Sequence, residues 1–183
     1  GPSLRESFQF LLFLLAILWA IEALDRIAFG YSLDRLGIRP RTLGGLAGIV
    51  LSPFLHHGFG HLAANSIPFL VLGSLALARG IREFLIASAM AILVGGLGVW
   101  ALGGANTIHV GASGLIFGYF GFLMAMAWFE RSLSAVATAA LVFFLYGGLL
   151  WWLRPFQAHV SWLGHLFGLA GGAWAARICA RRH

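Results

Sequence analysis

The sequence predicts an all-α, polytopic membrane fold of six transmembrane helices, and three observations carry that expectation. Residues of the AVILMFWYC set make up 60% of the 183, while charged residues make up only 10%. Mean hydropathy is +0.90. Finally, apolar stretches near the length of a bilayer crossing recur along the chain, separated by short joints bearing arginine or glycine. Soluble domains carry roughly 25% charged residues, so this chain lacks the charge to coat a water-facing surface. That excludes an ordinary cytosolic enzyme, a disordered regulator and a nucleic-acid binder, despite a net charge of +6. Lipid is the solvent that tolerates outward-facing apolar side chains.

A helical crossing needs about 20 apolar residues. The first spans residues 8–29, with Glu22, Asp25 and Arg26 placing its last turns at an interface. A more polar connector follows over residues 30–52, carrying Asp34, Arg35, Arg39, Pro40 and Arg41. Its apolar stretches are too short to cross and read as interfacial helices. The second span covers 61–78 and is closed by Arg79, Gly80 and Arg82; the third covers 84–102 and ends at Gly103-Gly104. The fourth, 113–129, is stopped by Glu130-Arg131; the fifth, 133–153, by Arg154-Pro155. The sixth runs over 160–176 and ends in Arg177, Arg181 and Arg182. At 1.5 Å per residue the fourth is about 25 Å long, short of a hydrocarbon core of about 30 Å, which leaves a cavity above its N-terminus. Gly1-Pro2 has the look of a tag remnant, and residues 3–183 are expected to form one six-helix domain.

An even number of crossings puts both termini on one side. Seven arginines fall on that side and five on the other, which favours cytoplasmic termini in a cell membrane. One cysteine, Cys179, excludes an intramolecular disulfide framework and a multi-cysteine metal site.

Polar residues inside crossings are costly and point to function. Three segments stand out: His56-His57-Gly58-Phe59-Gly60-His61 with Asn65, then His109-Val110-Gly111-Ala112-Ser113-Gly114, then Ser161 with Gly164-His165 and Gly168. They open the second, fourth and sixth spans. Alternate spans run in the same direction, so His61, Asn65, Ser113 and His165 share one layer, opposite the termini. A serine hydroxyl is a weak nucleophile until a base takes its proton, and a neutral imidazole is such a base. None of the six acids is expected at that layer beside His165, so the chemistry is that of a dyad. The start of the fourth helix offers unpaired N–H groups to a developing oxyanion. Asn65 offers its amide, and His61 lies four residues earlier on the same face. Gly114 and Gly118, and Gly164, Gly168 and Gly172, stand at the spacing that lets helices pack closely in lipid. Phe117, four residues after Ser113, faces the imidazole.

With these elements in order, the chain resembles the rhomboid family of intramembrane serine proteases. Gly111-Ala112-Ser113-Gly114 is similar to the family's nucleophile motif, and Gly164-His165 with Gly168 to its general-base motif. His61 and Asn65 are similar to its oxyanion-stabilising pair, and His56 to a further histidine common before the second span. The resemblance implies cleavage of other transmembrane proteins near or within their spans, by a serine–histidine dyad without metal, nucleotide or other cofactor. It further implies that the fifth span and residues 154–159 form a lateral gate and cap.

Blander roles compete at single positions. A membrane serine commonly bonds back to its own helix, and an asparagine there often glues helices together. His57 and His61 stand four apart, as metal ligands can, but no acid or cysteine accompanies them. His56 reads as a support for the connector, and His109 and His159 as solvated or substrate-facing. The tryptophans at span ends read as interfacial belts. A small transporter or channel lined by the histidines is the alternative from another functional class, and a non-catalytic rhomboid-like binder a second.

Overall fold

The computed structural model describes residues 1–155 and 161–180. The order is α1 (Leu4–Leu24), α2 (Leu43–Leu51), α3 (Phe59–Arg79), α4 (Ile81–Leu102), α5 (Ser113–Glu130), α6 (Leu133–Tyr146) and α7 (Trp162–Ala180). Among the described residues there is no strand; one isolated antiparallel bridge joins Ile38 to His109.

Three helices, α1, α2 and α6, begin where a serine or threonine side chain supplies a partner for a first-turn N–H. Ser3 caps α1 in a reciprocal capping box with Glu6. Thr42 accepts from Gly45 N at the head of α2, and Ser132 from Ala135 N at the head of α6. No side chain caps α5, whose N-cap is Ala112.

Half of α5 is buried, against 17% of Leu133–Leu153, so α5 is the axis of the bundle and α6 its periphery. The core between α1, α3 and α5 is made of fully buried residues such as Leu11, Leu62, Leu72, Ile116 and Phe122. Phe144 is 85% exposed and Leu133 86%. Such side chains belong against lipid. At the other end of the bundle Arg79 pairs with Glu130, tying the C-terminus of α3 to that of α5.

Glycine governs the contact between α5 and α7. A Cβ on Gly168 would sit 3.2 Å from Gly114 Cα, and one on Gly172 would sit 2.9 Å from Gly118 Cα. The two glycine ladders therefore face each other, and backbone packs on backbone. Gly95 of α4 approaches the same strip, 3.4 Å from Gly168 Cα by the same measure. The Gly95-Gly96-Gly98 group is thus a packing element.

Among the described residues, five helices are long and apolar enough to cross a membrane: Leu4–Phe29, Phe59–Arg79, Ile81–Leu102, Ser113–Glu130 and Leu133–Leu153. The expected count of six is not reached by this measure. The missing one is α7, whose 19 residues would extend about 28 Å. Its glycines, His165 and Arg177 hold down its hydropathy, and its buried face is turned to α4 and α5. Two crossings also differ in kind from the expectation. The first ends in a π-helical turn, Asp25–Phe29, and the fifth continues from α6 as a 3-10 helix, Gly147–Leu153. The connector holds the short α2 and a 3-10 turn, Leu33–Leu36. His159, the cap segment 156–160, the start of the sixth span at 160, and Arg181 and Arg182 lie outside the described residues.

Candidate active site

The N-terminal ends of α3, α5 and α7 meet around a cavity of about 680 Å³, lined among others by His57, His61, Asn65, Ser113, Phe117 and His165. Connectivity produces the convergence, since alternate helices of an up-and-down bundle start at the same end. His56 stands outside this cavity and acts on its wall from behind.

Ser113 is the first residue of α5 and is partly buried. The loop before it is fixed by its main-chain N–H groups: Gly111 N–H donates to Ser52 O at 2.8 Å, and Ala112 N–H to the side-chain Nε2 of His56 at 3.2 Å. Gly111 has φ +124, a conformation that L side chains rarely adopt. His56 is 1% exposed. Burial, with His61 and His57 nearby, pushes its pKa down to about 3. Its ring is therefore neutral near pH 7, which leaves the Nε2 lone pair free to accept from Ala112.

His165 lies one turn into α7 and is buried. Its Nδ1 is 3.1 Å from the main-chain oxygen of Trp152, in the 3-10 helix after α6. A carbonyl only accepts, so Nδ1 carries the proton and Nε2 of the neutral ring keeps its lone pair. Phe117 lies flat on the imidazole, with centroids 4.2 Å apart and planes 11° apart. A Cβ on Gly114 would lie 3.7 Å from Gly164 O. The turn of α5 that bears Ser113 thus packs on the turn of α7 that bears His165.

On the facing wall, Asn65 is 7% exposed and its Nδ2 is buried with no hydrogen-bond partner. His61 Nδ1 accepts from His57 N–H at 3.4 Å, so its Nε2 bears the proton. A Cβ on Gly111 would lie 3.0 Å from that Nε2 and 3.7 Å from Asn65 Nδ2. Two N–H donors from α3 therefore converge beside Gly111, two residues before Ser113.

Three features have no signal in the sequence reading. One is the Trp152 carbonyl, since a main-chain acceptor has no residue signature. Another is the pair formed by Asp34 Oδ2 and His57 Nδ1 at 2.8 Å. The bonding of His109 is the third: expected to be solvated or substrate-facing, it is half-buried, lines the cavity and is held by hydrogen bonds on both ring nitrogens. Thr107 donates its hydroxyl to Gly104 O and stands 2.8 Å from His109 Nε2; Ser161 Oγ stands 2.8 Å from Nδ1. The ring thereby joins the loop before α5 to the start of α7, because that loop runs antiparallel to Ile38 and carries His109 inward. Among the described residues no group of three or more His, Cys, Asp or Glu side chains is arranged to hold a metal ion.

The fold and cavity together define a multi-pass helical membrane protein with a chamber, holding several polar side chains, built at the starts of alternate helices. The chain belongs to the rhomboid family: the model of the Rhomboid domain matches residues 44–182. It is 40% identical over 171 residues to an uncharacterized protein of Mycobacterium tuberculosis, covering 89% of this chain and 71% of that one. An uncharacterized Mycobacterium leprae protein is 38% identical over 172 residues, covering 90% and 68%. A Bacillus subtilis protein provisionally named a rhomboid protease is 31% identical over 179 residues, covering 94% and 88%.

Proposed function

We propose that this chain is a six-span intramembrane serine endopeptidase that cleaves transmembrane proteins within or near their spans. The observation that carries the reading is the 3.1 Å contact of His165 Nδ1 with the Trp152 carbonyl, from which the ring's tautomer is assigned. With Nδ1–H committed to the Trp152 carbonyl, Nε2 is the ring's proton acceptor on the side of a cavity that Ser113 also lines. Ser113 Oγ attacks the scissile carbonyl as His165 Nε2 removes its proton. The tetrahedral oxygen is stabilised by Ser113 N–H, Asn65 Nδ2 and His61 Nε2–H. Collapse breaks the C–N bond, and the imidazolium gives its proton to the leaving amine. A water then hydrolyses the acyl-enzyme, with His165 again acting as base. No metal or cofactor takes part in this scheme. In the accompanying topology α7 is the sixth crossing, the termini face the cytoplasm, and the chamber opens to the other side of the cell membrane.

Support comes from membership of the rhomboid family, from the two converging donors on α3, and from the glycine contact that brings α5 and α7 together. The direct test is covalent capture by a fluorophosphonate probe, mapped by mass spectrometry, followed by cleavage of a reporter bearing one transmembrane segment. Adduct on Ser113 with cleavage of the reporter is the expected result. Probe bound elsewhere, or no cleavage by protein that labels at Ser113, overturns the reading.

A further inference from the structure

We infer that Asp34, in the connector between the first two crossings, is a positioning residue that acts through His57 to orient His61. The inference rests on the protease reading above, to which it adds a residue.

Asp34 is brought to the cavity's rim by a folded connector. The π-helical turn ends at Gly30 with φ +57, Tyr31 follows at φ +64, and the chain reverses. Asp25 Oδ1 then accepts from Leu33 N–H at 3.0 Å, which fixes the 3-10 turn holding Asp34. From there Asp34 Oδ2 accepts from His57 Nδ1–H at 2.8 Å. The side chain of Asp34 is 15% exposed and that of His57 51%, so this is a half-shielded pair at the rim.

His57 stands two residues before α3, with the N-cap Gly58 between, and has a second contact. Its main-chain N–H donates to His61 Nδ1, at 3.4 Å, near the long limit for such a bond. Gly58 between them has φ +88, a joint with little conformational stiffness of its own. The rings of His57 and His61 lie nearly parallel, 6.4 Å apart and 22° inclined. The His57 N–H is the group that keeps the lone pair of His61 on Nδ1 and its proton on Nε2. Reversal of that tautomer would turn a lone pair, in place of a donor, toward the site beside Gly111. A weak bond across a glycine joint needs an outside anchor to hold its geometry. The Asp34 carboxylate on the ring of the same residue is that anchor.

The test uses the full chain in detergent micelles, with two readouts. Nitrogen-15 spectra of the histidine rings report the tautomer of His61, independent of activity. Inactivation by a fluorophosphonate, split into a maximal rate and a half-saturating concentration, reports oxyanion stabilisation. In Asp34→Ala the His61 signals are expected to shift from a pure Nε2–H pattern toward a mixture. The maximal rate should fall about tenfold with half-saturation unchanged, less than the roughly hundredfold loss on removing an oxyanion donor outright. Asp34→Asn, which keeps an acceptor oxygen for the ring, should retain most of the rate. In a His57→Ala background, Asp34→Ala should have no further effect. Unchanged His61 signals and rate in folded Asp34→Ala overturn the inference, as does full additivity with His57→Ala. Failure of the unmutated protein to label at Ser113 overturns the protease reading instead, and the spectra separate the two failures.

Discussion

The imidazole of His165 donates from Nδ1 to the main-chain oxygen of Trp152 at 3.1 Å, and in the proposed mechanism that bond takes the orienting role a carboxylate has in a serine–histidine–aspartate triad. A neutral acceptor fixes the tautomer but stabilises the imidazolium less than a carboxylate would. It also avoids placing an anion among apolar helices, where desolvation is costly. On the proposed mechanism, the third member of the constellation is a main-chain carbonyl and not a side chain.

Ser113→Ala should eliminate fluorophosphonate labelling and reduce cleavage of a transmembrane reporter by at least about a thousandfold. Its thermal unfolding should match the unmutated protein, because the hydroxyl caps no helix here. Substantial residual cleavage would assign the nucleophile elsewhere.

Asn65→Ala should lower the maximal inactivation rate about a hundredfold, the usual cost of one lost oxyanion donor. Stability should change little, since Nδ2 has no partner to lose. A rate within twofold of normal would make Asn65 a packing residue.

Phe117→Leu tests the ring stacked on His165. Apolar volume is largely kept, so the stability cost should stay below about 1.5 kcal/mol. The flat face is lost, and turnover should fall several-fold while the protein remains folded. An unaltered rate would mean that the Trp152 carbonyl alone holds the imidazole.

Gly168→Val should destabilise the bundle by about 1–3 kcal/mol or more, because any Cβ there meets the Gly114 backbone. Labelling of Ser113 should fall with it, as α5 and α7 separate. A chemical-denaturation series together with probe labelling would register both effects.

Acid stability should report His56. Its pKa is about 3 when folded and about 6.5 when unfolded, so the unfolded chain binds the proton more readily. Stability is therefore full above about pH 6.5 and declines as pH falls from there toward 3. His56→Gln, which cannot titrate, should show a smaller drop in unfolding temperature between pH 7 and pH 4.5. An identical drop would place the acid sensitivity in other groups.

Much of this site was legible in the sequence because its parts are polar side chains in an apolar chain. His61, Asn65, Ser113 and His165 stand out by type, and alternation of helix direction puts them at one end. The glycine ladders of α5 and α7 were legible for the same reason, since their spacing is a packing code. What escaped was carried by the main chain or by long detours. The carbonyls of Trp152 and Ser52 have no signature. Asp34 meets His57 across 23 residues through a folded connector that turns with positive φ before Asp34, at Gly30 and Tyr31, and after it, at Arg41. The expected sixth crossing falls on α7, whose composition is that of a partner-facing helix, poor in large apolar residues because glycine makes the contact.

The bonds from Gly111 to Ser52 and from Ala112 to His56 have a consequence for engineering. The address of Ser113 is written in the stretch that precedes α3, sixty residues upstream of the helix it starts. Transplanting α5 and α7 into another scaffold would carry Ser113 and His165 but not the contacts that place Ser113. A working graft needs residues 52–56 to travel with them.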